Sequence, residues 1–149
     1  MAGVLVFRML GGTDTYRSLE RYPDARQVDG LVIYRFDAPL FFANSNWFRD
    51  QVLKAVARAE PPATELLIDG EVISDLDTTA VQAFDQLLDD LQAADVAVSM
   101  ARVRHPVRDM MERTGLLERV GESNIHLEVD DAVAAHLGRR PPGNDGLPH

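Results

Sequence analysis

The sequence predicts an α/β protein, with a mixed, mostly parallel sheet of four to five strands packed against about four to five helices. Three observations predict it. Short apolar runs alternate along the chain with longer segments whose apolar residues recur at intervals of three and four. The breaks between them carry Gly, Pro, Asp and Asn, the residues that turn a chain. The 149 residues are 46% hydrophobic and 26% charged, ordinary for one soluble domain with a sizeable core.

The first element is Val4 to Leu10, which is apolar and reads as a strand, broken by Gly11-Gly12-Thr13-Asp14. Thr13 to Asp29 is polar and holds Pro23, so it reads as a linker or surface loop. Gly30 leads into Leu31-Val32-Ile33-Tyr34-Arg35-Phe36, a β-branched and aromatic strand. Asp37-Ala38-Pro39 turns the chain, and Leu40-Phe41-Phe42 is a second short strand, a hairpin-like pair with the first. Asn44 or Ser45 caps a helix whose buried face is Phe48, Val52, Val56 and Ala59; Pro61-Pro62 stops it. Leu66 to Ile68 fits a strand buried on both faces.

A second helix starts near Asp77 and lines up Val81, Phe84, Leu87, Leu88 and Leu91, with Asp85, Asp89 and Asp90 turned elsewhere. Val96 to Ala101 is a strand. Pro106 suits a first helical residue, Val107, Met110, Met111 and Thr114 come after it, and Gly115 ends that helix. Ile125 to Leu127 is a last short strand, and Asp130-Asp131 opens a helix over Ala132 to Leu137. From Gly138 onward, Arg139-Arg140-Pro141-Pro142-Gly143-Asn144-Asp145-Gly146 cannot build a core and is expected to form a disordered tail.

Composition removes several function classes. The chain has no cysteine, which excludes disulfides, thiolate nucleophiles and Cys-based zinc sites. His105, His126 and His136 lack metal-ligand spacing, and His149 lies in the tail. The net charge of −9 argues against nucleic acid or an anionic lipid surface as the main partner. No window approaches the roughly 18 continuous apolar residues of a membrane span, and the start lacks the cationic opening of a signal peptide. Lys54 is the single lysine; Arg-, Ala-, Asp- and Val-rich usage points to a GC-rich bacterial genome.

The most informative stretch is Leu66 to Val81: an apolar run, a turn, then Asp75-Leu76-Asp77-Thr78-Thr79-Ala80 opening a helix. It aims polar groups and free backbone N–H groups at one spot. Three segments carry a family resemblance. Gly12-Thr13-Asp14-Thr15-Tyr16-Arg17 with Arg21-Tyr22-Pro23 resembles the linker that joins the membrane domain of SulP-type anion transporters to their STAS domain. Arg35 to Asn44 resembles the strand–turn–strand that opens such domains, and Asp75 to Ala80 resembles the Asp-Ser-Ser-Gly turn of the anti-sigma-factor antagonist branch.

The resemblance covers roughly Gly12 to Leu137. It implies the STAS (SpoIIAA-like) fold, with residues 1–27 as connector and linker, 28–138 as the domain and 139–149 as the tail. It implies a non-catalytic regulatory and interaction module of a sulfate or related anion transporter, of actinobacterial origin. The module would sit at the cytoplasmic face of the inner membrane as a piece that is itself soluble, with Met1 starting a segment cut from its membrane part. Its partners would be the transmembrane domain of the same transporter and, further, a homodimer partner or a regulatory protein. The alternative is a free-standing antagonist with a phospho-switch at Thr78, where that family has serine; Ala80 replaces the family's glycine.

Each candidate residue has a plainer explanation beside it. Phosphate on Thr78 would meet a helix N-terminus, but Asp75 and Asp77 repel it, and the favoured reading is that Asp77 caps the helix while Thr78 and Thr79 fill its first turn. Arg102, Arg104, His105 and Arg108 come just after the Val96–Ala101 strand. In a parallel sheet that strand ends beside the Ile68 strand, so Asp77, Thr78, Thr79, Arg102, Arg104 and Arg108 would converge on an anion such as the phosphates of GTP or ATP. No phosphate-binding loop is present, and a solvated basic helix start is the favoured reading. Ser74, Asp75 and His105 lack any nucleophile-elbow sequence. Met100, Met110 and Met111 read as core, and an exposed Trp47 would mark a contact with the membrane domain or a sister subunit.

Overall fold

Four parallel strands lie side by side in chain order: β4 (Leu31–Arg35), β5 (Glu65–Asp69), β6 (Ala97–Ala101) and β7 (Ile125–His126). The computed structural model describes residues 7–9, 16–18, 26–35, 45–71 and 73–139. Between the strands run α1 (Ser45–Arg58), α2 (Thr78–Ala93), and the pair α3 (His105–Thr114) and α4 (Leu116–Val120); α5 (Val129–Arg139) closes the described chain. Each crossover steps one strand in the same direction, and right-handed crossovers therefore place α1 to α4 on one face.

The side chains alternate accordingly. Val32, Tyr34, Leu66, Ile68 and Met100 face a core shared with Phe48 and Val52 of α1, Phe84 and Leu87 of α2, Met111 of α3 and Leu116 of α4. Their neighbours Leu31, Ile33, Leu67 and Ala101 face the other way, onto Val129, Ala132 and Val133 of α5. Every residue of β5 is buried, as the continuous apolar run from Leu66 to Ile68 predicts for a strand covered on both faces. Phe48 sits at the centre, edge-on to Tyr34 with ring centroids 5.6 Å apart and stacked on Phe84 at 5.7 Å. Truncating Phe84 to Ala is expected to cost roughly 3–5 kcal/mol.

Two clasps tie the helices together outside this core. Asp90 of α2 accepts from the Arg49 guanidinium of α1 at 2.7 and 3.0 Å. Arg119 of α4 reaches Asp85 at 3.2 Å and also pairs with Asp89. The polar face predicted for α2 is thus where α1 and α4 are laced to it.

A second, smaller sheet is antiparallel. β1 (Phe7–Met9) runs between β2 (Tyr16–Ser18) and β3 (Arg26–Gln27). β1 falls within the strand predicted at the start. β2 and β3, however, lie in the stretch predicted as linker or loop. Their ladder comes from pairing with β1, and segments of two or three residues carry no periodicity of their own. Helix α4 likewise has no counterpart among the expected elements. Gly115, in the left-handed conformation at φ 80°, ends α3 as predicted, but the chain re-enters a helix at the next residue. Helix α3 begins at His105, one residue before the predicted Pro106. The predicted Leu40–Phe42 strand and its hairpin lie outside the described residues; of the tail predicted from Gly138 onward, Gly138 and Arg139 instead complete the last turn of α5, and the rest lies outside the described residues.

Candidate functional site

Parallel register brings the carboxyl ends of three strands level: Arg35 pairs with Asp69, and Asp69 with Ala101. The turn from Gly70 to Asp77 and the loop from Arg102 to Arg104 therefore leave the sheet at one edge. The two are pinned together. The Gly70 amide donates to the Ala101 carbonyl at 2.8 Å, and the Arg104 Nε donates to the Glu71 carbonyl at 2.8 Å.

The turn has an inner and an outer side. Ile73 and Leu76 are each 1% exposed and root it in the core, while Ser74, Asp75 and Thr78 face solvent. Asp75 accepts from the Leu76 amide at 2.8 Å. Asp77 caps α2, its Oδ1 accepting from the Ala80 amide at 2.8 Å. Thr78 is the first residue of α2 and exposed; Thr79 is half-buried.

Behind the turn lies an ion-pair cluster that the sequence reading did not find. Asp69 is 3% exposed. Its Oδ1 accepts from the Glu71 amide at 3.1 Å, and its Oδ2 faces the Arg102 guanidinium at 3.5 Å. Arg102, itself in the left-handed region at φ 56°, also donates to Glu71 Oε2 at 3.0 Å and lies 3.9 Å from Glu128, just before α5. Arg35 approaches the same Glu71 oxygen at 3.7 Å. Burial pushes the Asp69 carboxyl above its ordinary pKa; the Glu71 amide and the Arg102 and Arg35 charges pull it partly back, and the Glu71 carboxylate adds to the rise. The signal was an acidic residue directly after the Leu66–Ile68 run, at the end of a doubly buried strand.

Of the residues proposed to gather around an anion, Arg102 and Arg104 meet at Glu71, on the turn that leads to Asp77 and Thr78. Arg108 pairs with Glu122, on the turn after α4. The cluster holds Asp69, Glu71 and Glu128 against Arg35 and Arg102, so an entering anion competes with carboxylates already in place. The strands of the main sheet also never reverse order, so among the described residues the topology provides no switch-point crevice between helices of opposite faces at this edge. Among the described residues, no hydrogen bond joins Ser74, Asp75 and His105, and no group of His, Asp and Glu is placed to hold a metal ion.

A second buried polar group lies at the amino edge. Glu65 Oε2 accepts from the Ser99 hydroxyl at 2.6 Å, and Glu65 Oε1 meets His136 Nδ1 of α5 at 3.0 Å. The hydroxyl sits on the carboxylate and not on the imidazole, so the trio lacks the nucleophile–base contact of a hydrolase.

These features belong to a known class of domain. The family model described as "STAS domain" matches residues 22–132. The chain belongs to the STAS domain family. A probable sulfate transporter of Mycobacterium tuberculosis is 34% identical over 134 residues, 90% of this chain and 24% of that protein. The high affinity sulfate transporter 2 of Stylosanthes hamata is 32% identical over 139 residues, 88% of this chain and 21% of that protein. The chain thus spans between a fifth and a quarter of these relatives. In fold it is similar to the murine Slc26a9 anion transporter in the inward-facing state, with a TM-score of 0.84 at 22% identity over 93% of this chain and 22% of that one. It is also similar to the anti-sigma factor antagonist SpoIIAA in its unphosphorylated form, with a TM-score of 0.60 at 16% identity over 76% of this chain and 94% of that one. Among the described residues, no helix is long and apolar enough to cross a membrane.

Proposed function

We propose that this chain is the cytoplasmic regulatory and interaction domain of a sulfate or related anion transporter, with the turn from Gly70 to Thr78 as its signalling surface. The observation that supports it best is the match over about nine-tenths of the chain to sulfate transporters of a bacterium and a plant, each several times longer. The turn suits the role: its buried side is anchored by Ile73 and Leu76, so its exposed side can meet a partner without loss of the core. The transmembrane part of the same transporter is the partner this reading requires. A nucleotide as the signal is the less supported version, because Arg102 and Arg108 already pair with carboxylates.

The test is sulfate uptake by cells carrying the whole reading frame, compared with a version lacking residues 22–139. Loss or a changed rate of uptake, with the membrane part still inserted, supports the proposal. Unchanged uptake, or a reading frame that encodes no membrane-spanning part, overturns it. The second outcome would favour the free-standing antagonist, for which the fold likeness to SpoIIAA and the exposed Thr78 hydroxyl already speak.

A further inference from the structure

We propose that Asp69, Arg102 and Glu71 form a proton-operated latch on the turn from Gly70 to Asp77, closed while Asp69 is ionised and opened when Asp69 takes a proton. The geometry makes Asp69 the pivot. One of its oxygens holds the turn's backbone at the Glu71 amide, and the other faces the Arg102 guanidinium that grips the Glu71 side chain. A proton on Asp69 removes the charge from both contacts. The acceptor to the Glu71 amide weakens, and Arg102 is left with Glu71 and the distant Glu128.

Burial already favours the protonated form of Asp69 in the folded chain. The turn therefore loosens without the fold losing stability through this group. Ile73 and Leu76 remain rooted in the core, so the movement is confined to the exposed side that leads to Asp77 and Thr78. Among the described residues, the charged and titratable groups that come to this edge are Arg35 from β4, Glu71 from the turn, Arg102 and Arg104 from the loop after β6, His126 from β7, and Glu128 before α5. The His126 carbonyl accepts from the Arg102 amide at 3.1 Å, and its ring Nε2 is buried without a hydrogen-bond partner. Asp75 and Asp77 lie further along the turn.

The regulatory use of the latch rests on the role proposed for the turn; the latch itself is tested without any transporter. The experiment is an NMR titration of the 149-residue chain from pH 7.5 down to about pH 2.5, below the ordinary aspartate range, tracking the Asp69 side-chain carboxyl carbon and the amides of Glu71 and of residues 73–79. These amides are expected to move together with the Asp69 carboxyl, at one midpoint above the ordinary aspartate range. Asp69→Asn is expected to show the acid positions already at pH 7.5, and Asp75→Asn to leave the titration in place. The proposal is overturned if Asp69 titrates in the ordinary range, if the 73–79 amides move at a different midpoint, or if Asp69→Asn keeps them at the wild-type pH 7.5 positions. Should Asp69→Asn fail to fold, the wild-type carboxyl and amide midpoints decide alone.

Discussion

The two edges of the main sheet carry polar groups of the same kinds and use them in opposite ways. At the amino edge, Glu65, Ser99 and His136 are 3%, 1% and 4% exposed and satisfy one another, with His136 Nε2 donating to the Asp29 carbonyl at 3.0 Å. At the carboxyl edge, Asp69 alone is buried, and Glu71, Arg102 and Arg104 reach partly into solvent. The difference teaches which edge can move. A dry, closed network has one arrangement, whereas a half-wet ion-pair cluster trades partners at small cost. The first clasps α5 to the sheet, and the second leaves a turn adjustable.

The amino edge should therefore break hardest. A backbone carbonyl only accepts, so His136 Nε2 carries a proton, and one further proton lies between Nδ1 and Glu65. Removing one partner strands the other in the interior, and His136→Ala or Glu65→Ala is expected to cost about 3–5 kcal/mol in urea unfolding. Glu65→Gln keeps the hydrogen bonds and is expected to cost far less. The combined Glu65→Leu, Ser99→Ala, His136→Leu chain should recover most of the loss, since a well-packed apolar replacement removes all three buried side-chain polar groups together and takes a donor only from the part-buried Asp29 carbonyl. A triple variant no more stable than the single ones would show that α5 is held by something other than this network.

At the carboxyl edge the effects are smaller. Arg102→Ala leaves Asp69 buried with less compensation, but solvent and Arg35 screen it, so about 1–2 kcal/mol is expected. Asp77→Ala removes the cap on Ala80 and is expected to cost about 1 kcal/mol, with Thr78→Ala at the neighbouring exposed position within about 0.5 kcal/mol. Equal losses at Asp77 and Thr78 would mean that the threonine does more than occupy the first turn.

The same contrast explains what the sequence made legible. Spacings of three and four residues announced α1, α2 and α3, and the capping Asp77 and terminating Gly115 were readable because each acts on its own neighbours. That β5 and β6 run parallel was readable from the alternation of elements, and with it the meeting of Arg102 and Arg104 with the turn. β2, β3 and α4 were not, because they are too short to show a period and exist through partners distant in the chain. The two polar clusters were hidden for a related reason. Glu65 and His136 are 71 residues apart, Asp69 ends β5 while Arg102 follows the end of β6, and only the register puts them in reach.

The finest distinction between the edges is the sign of a pH effect. Because burial raises the Asp69 pKa in the folded chain, that chain binds more proton than the unfolded one between the ordinary and the raised values. The contribution of Asp69 to stability is thus greatest below its ordinary value and is lost as pH rises through the raised one. At neutral pH an ionised, buried Asp69 is a cost that Arg102 and Arg35 only partly offset. Asp69→Asn is accordingly expected to be neutral or slightly stabilising at pH 7.5, by less than about 1 kcal/mol, and to lose that advantage in acid, as pH falls through the raised Asp69 value. Urea midpoints of the two chains, followed from pH 7.5 into acid, measure it. A variant that is instead destabilised at pH 7.5 and recovers in acid would mean that the Arg102 pairing outweighs burial. Asp69 would then be an ordinary stabilising carboxylate, and the carboxyl edge as fixed as the amino one.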